Sequence, residues 1–88
     1  MMHTAEQLKG QLEGIKSRIE WKMNRGTPVT KAFAEAMCDR FGDYSDMLSD
    51  YRNPDAFFYA RQNAVHAYRR GGLQGLLDLA NYKLSLCG

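Results

Sequence analysis

Apolar side chains recur at Leu8, Leu12, Ile15, Ile19 and Met23, at intervals of four, three, four and four residues. That spacing follows the 3.6-residue helical turn and has none of the alternation a half-buried strand needs. It therefore demands an amphipathic helix that turns one narrow face toward a core. The ends are marked as well. Thr4 is placed to cap the first turn, with Gln7 three residues later completing a capping box. Asn24-Arg25-Gly26, followed by Thr27-Pro28, stops the helix.

The same period continues along the chain. A second helix is expected with Thr27 as its cap and Pro28 at its first position, where the missing N–H is not needed. Val29, Phe33, Ala36, Met37, Phe41, Tyr44, Met47, Leu48 and Tyr51 would form its apolar stripe over about six turns. Gly42 can bend or interrupt it. A third helix starts at Asn53-Pro54-Asp55, with the aspartate near the positive end of the helix dipole. Its core face is Phe57, Phe58, Ala60, Ala64, Val65, Ala67 and Tyr68, and Gly71-Gly72 ends it. A shorter fourth helix is expected from Leu73 to Leu84, with Leu73, Leu76, Leu77, Ala80 and Leu84 inward and Leu79, Tyr82 and Leu86 pointing elsewhere. The expected fold is thus all-α, a compact bundle of three main helices plus a shorter fourth C-terminal helix, in a single domain over residues 1–88. A chain of 88 residues has material for one core, and connections this short favour antiparallel neighbours.

Composition excludes several classes. With 44% hydrophobic residues the chain is too apolar to be disordered. The formal charge of +2 is too small to imply a nucleic-acid partner by itself. Its distribution is uneven, with an acidic middle third between two basic thirds, which suits antiparallel packing of the segments. No apolar run approaches the roughly 20 residues of a membrane helix, and the N-terminus lacks the apolar block of a signal peptide. Cys38 and Cys87 make neither a disulfide framework nor a metal-ligand spacing. A cytoplasmic, reducing location with no membrane role is the expectation.

Chemistry-bearing patterns are sparse. Asp39, Asp43, Asp46 and Asp50 share a flank of a continuous second helix. Carboxylates so close together need solvent, a basic partner or a metal, and the regular helix lacks the irregular glycine-turned loop of a calcium site. Arg40 and Arg61 fall on core-facing arcs, where a guanidinium must reach the edge or pair with the acidic row or Asp55. Cys38 falls away from its helix's main stripe, and Cys87 falls in an apparent tail. His3 and His66 have no organised nucleophile or oxyanion site beside them, and no serine has a nucleophile-elbow context. Neither an enzyme nor a cofactor or metal protein is expected.

Binding is the remaining class. Gly10, Gly14, Ser17 and Trp21 line the side of the first helix opposite its leucine stripe, and two helical glycines in a row cost stability unless something approaches closely. With Leu79, Tyr82 and Leu86 they leave apolar surface beyond what one core needs. The reading is a small protein-binding module, an adaptor, inhibitor or regulatory subunit, using these faces together with the acidic row; a second copy of the chain is one candidate partner. The alternative is a nucleic-acid-binding protein that contacts phosphates through Arg18, Lys22, Arg25, Arg61, Arg69 and Arg70 beside Trp21. A helix-turn-helix over residues 67–80 fits that alternative in order. Its recognition helix would offer Gln74, Asp78, Asn81 and Lys83 but no arginine.

Overall fold

The computed structural model describes residues 3–49 and 54–87. Its elements are three helices, α1 (Ala5–Arg25), α2 (Lys31–Leu48) and α3 (Pro54–Leu86). No strand occurs among the described residues.

Local chemistry explains each boundary. Thr4 Oγ1 accepts from the Gln7 N–H at 3.1 Å, and the Thr4 N–H donates to Gln7 Oε1 at 2.9 Å, which closes the expected capping box. Gly26 ends α1 in the left-handed region at φ 66°, with its N–H on the Met23 carbonyl. The start of α2 differs from expectation. Thr30, not Thr27, is the cap, its hydroxyl accepting from the Phe33 N–H at 3.1 Å, so Thr27 and Pro28 belong to the connection. Two threonines compete for this role, and Thr30 wins where its hydroxyl reaches an orphan N–H three residues on. Asp50, Tyr51 and Asn53 lie outside the described residues.

Gly42 does not divide α2, which runs unbroken through it. Its purpose is contact. A Cβ there would stand 2.6 Å from Cε2 of Phe57, so the missing side chain lets that ring lie on the α2 backbone.

The expected fourth helix is corrected: residues 73–84 form the later part of α3. Only Gly72 leaves helical geometry, at φ 62° and ψ −145°. One residue redirects the axis without a connecting loop, and helix continues on both sides. A straight helix of 33 residues would span about 50 Å, whereas the longest dimension of the molecule is 39 Å. The bend is sharp. A Cβ on Gly75 would fall onto the Ala67 carbonyl, a residue about 12 Å away in a straight helix.

All three helices contribute to one core. Leu12, Ile15 and Ile19 enter from α1, Met37, Cys38, Phe41 and Tyr44 from α2, and Ala64, Leu76 and Ala80 from both arms of α3. Cys38, expected off the stripe, is buried here, while Phe58 and Arg40, expected on core-facing arcs, are exposed. Phe57 and Phe58 are neighbours 100° apart on the wheel, so only one can face α2, and Gly42 selects Phe57. The α2 and α3 helices make the most extensive pairing.

These glycines have opposite roles, and substitution separates them. Gly75→Ala is expected to destabilise by about 2 kcal/mol or more through backbone overlap, and Gly72→Ala by about 1–3 kcal/mol through its glycine-only conformation. Gly10 and Gly14 face open space, so Gly10→Ala and Gly14→Ala should each stabilise by about 0.5–1 kcal/mol. Urea midpoints of the four variants check this, and a destabilised Gly10→Ala would contradict the open-face geometry.

Candidate functional site

The structure gathers some of the sequence-derived candidates and separates others. On α1, Gly10, Gly14 and Ser17 are exposed and Trp21 is more than half exposed. No other part of the described chain covers this face. The Arg25 guanidinium lies 4.9 Å from the Trp21 ring centroid, which occupies one face of the indole. Lys22 Nζ lies 5.5 Å from the Phe33 ring, tying its cation to the start of α2. Arg18 is exposed.

The acidic row is not a uniform surface. Asp39 accepts from Arg61 Nε at 2.6 Å, joining α2 to α3 as the core-arc argument required. That bond raises the Arg61 pKa further above its already high ordinary value. Asp43 is exposed. Asp46 is half-buried, with Oδ1 shielded and without a hydrogen-bond partner among the described residues. Among the described residues, no cluster of histidine, cysteine and carboxylate side chains could hold a metal ion.

The two arms of α3 frame a groove of about 490 Å³ lined by Arg69, Arg70, Leu79, Tyr82 and Lys83, among others. Leu79 is half-buried and packs against the core, whereas Tyr82 and Leu86 are exposed. A second groove, of about 550 Å³, runs between α2 and α3. Lys31 lies 3.8 Å from Glu35 and Arg61 pairs with Asp39, whereas Arg69, which lines both grooves, forms no ion pair among the described residues.

Four exposed large apolar residues escaped the sequence argument: Met23, Leu48, Phe58 and Tyr59. Tyr59 lay on the polar side of the α3 wheel and was legible. Met23, Leu48 and Phe58 were assigned to core stripes, and only packing shows that those stripes are wider than the core they meet.

The cysteines differ chemically. Burial pushes the Cys38 thiol above its ordinary pKa, partly offset by the nearby Arg61 charge. Cys87 is exposed at the end of α3, where its sulfur lies 4.0 Å from the Tyr44 hydroxyl and 3.4 Å from the Lys83 carbonyl. The expected tail is therefore a helix terminus beside α2. Burial also raises the Tyr44 pKa, with Cys87 adding to the shift.

No described helix is long and apolar enough to cross a membrane. No family model matches the chain, and neither a curated protein nor a solved structure matches it.

Two measurements follow from these geometries. Since the Arg61 and Asp39 side chains are 33% and 50% exposed, Arg61→Ala should cost only about 0.5–1 kcal/mol in urea unfolding; an unchanged midpoint would remove the pair from the account of stability. Iodoacetamide at neutral pH should label Cys87 rapidly and Cys38 only after unfolding, because Cys38 is buried and its raised pKa keeps the thiol protonated. Equal native labelling by mass spectrometry would contradict the burial.

Proposed function

We propose that this small all-helical domain is a protein-binding module, acting as an adaptor, inhibitor or regulatory subunit through side chains its own core leaves uncovered. One observation carries the reading: Trp21, Leu48, Phe58, Tyr59, Tyr82 and Leu86 are all more than half exposed around a core that is already closed. Single exposed apolar residues are ordinary, but four of these six are aromatic, the type enriched at binding interfaces.

The phosphate-binding reading has less support. Arg61 is taken up by Asp39, Arg25 lies over the ring that would stack on a base, and Lys22 is held against Phe33. Glu6, Glu13 and Glu20 interrupt the basic residues of α1. The helix-turn-helix order is poorly equipped to read bases, because the exposed side of its second arm offers Gln74, Asp78 and Asn81 but no arginine.

Affinity capture from a native lysate, with and without nuclease, tests the proposal. Wild-type protein should retain a partner that survives nuclease, and Trp21→Ala with Leu86→Asp should lose it while circular dichroism shows unchanged helicity. Retention of nucleic acid alone, released by salt, would transfer the function to the basic residues.

A further inference from the structure

The groove between the arms of α3 differs from the other charged surfaces in having no internal counter-charge. Arg69 and Arg70 are exposed and form no ion pair among the described residues. Lys83 lines the same groove from the second arm, with its Nζ 5.9 Å from the Tyr44 ring centroid. No carboxylate lines the groove, and the neighbouring Asp78 is engaged by Gln74 at 2.9 Å. The lining also includes Ala67 and Leu79, both half-buried, and the exposed Tyr82. The bend at Gly72 creates this arrangement by turning the second arm back on the first, so residues far apart along the helix share one concavity.

We propose that this groove receives an acidic segment of a partner protein, with an apolar side chain over Ala67 and Leu79 and flanking carboxylates on Arg69, Arg70 and Lys83. Arginine forks hold carboxylates through paired N–H donors, and an apolar floor gains from excluding water. The volume of about 490 Å³ suits a few side chains and lies within the range of ligand clefts. A peptide fits better than a nucleic-acid strand. The cations form one short cluster, while those of α1 are interspersed with glutamates and Arg61 is paired with Asp39. The lining rings are Tyr82 and the imidazole of His66, which hydrogen-bonds Gln62 at 3.3 Å, too few for a run of successive bases.

The assignment rests on the protein-binding reading and specifies its partner. Fluorescence anisotropy with the full chain tests it, using a short labelled peptide in which one leucine is flanked by aspartates, its lysine-flanked counterpart, and a single-stranded oligonucleotide of equal formal charge. Only the aspartate peptide should bind saturably, and salt should weaken it. Arg69→Glu with Arg70→Glu should reduce affinity at least about tenfold, whereas Arg18→Glu, on α1, should leave it unchanged. Should the charge reversal disturb folding by circular dichroism, the milder Arg69→Gln with Arg70→Gln pair must still weaken binding. Absence of binding, equal binding of both peptides, or tighter binding of the oligonucleotide overturns the assignment. If the aspartate peptide fails while lysate capture still yields a nuclease-resistant protein, the groove is wrong and the module reading stands; if capture fails too, both fall.

Discussion

The Gly75 backbone against the Ala67 carbonyl is the contact on which the shape of the molecule depends. A side chain at Gly75 would hold the arms apart, and any residue but glycine at Gly72 would resist the conformation that turns the chain. Because the turn is made, Ala64 on the first arm and Leu76 and Ala80 on the second reach the same core as Ile15 and Phe41. Without it, a helix of 33 residues would extend beyond a bundle whose longest dimension is 39 Å. The bend also brings Arg69 and Arg70 into one groove with Lys83, so the device that completes the core shapes the basic groove as well.

Gly42 makes a second close approach of the same kind, seating the Phe57 ring against α2. The neighbouring Phe58 is left outside, edge-on to Phe57 at 5.8 Å between ring centroids. Much of the exposed apolar surface arises in this way, from stripes broader than the surface available to cover them. Charge is arranged with similar economy: Arg61 and Asp39 join α2 to α3, Lys31 and Glu35 match along α2, and Arg69, Arg70 and Lys83 gather where the α3 arms meet.

Reading the chain alone recovered α1 from cap to cap, because its signals are local: a hydroxyl and an amide three residues apart, and a glycine able to adopt positive φ. It placed α2 three residues early, since Thr27-Pro28 and Thr30 are equally good local starts and only the packed path of the chain separates them. It took Gly71-Gly72 as the end of one helix and expected another, where a single residue redirects one element. Arg61 was rightly sent toward the acidic row, because a guanidinium on a core arc has few alternatives. Arg40, on the same kind of arc, is exposed: a helical wheel gives direction, whereas burial depends on whether another element arrives there.

Helical class, the core stripe of α1 and its capping box were determined by sequence, because each depends on residues within a turn or two of one another. The axis change at Gly72, the burial of Cys38, the choice of Phe57 over Phe58 and the groove of unpaired cations were decided by tertiary structure. Each depends on how closely two backbones approach, and that distance is set by side chains distant in sequence that must fill one shared volume.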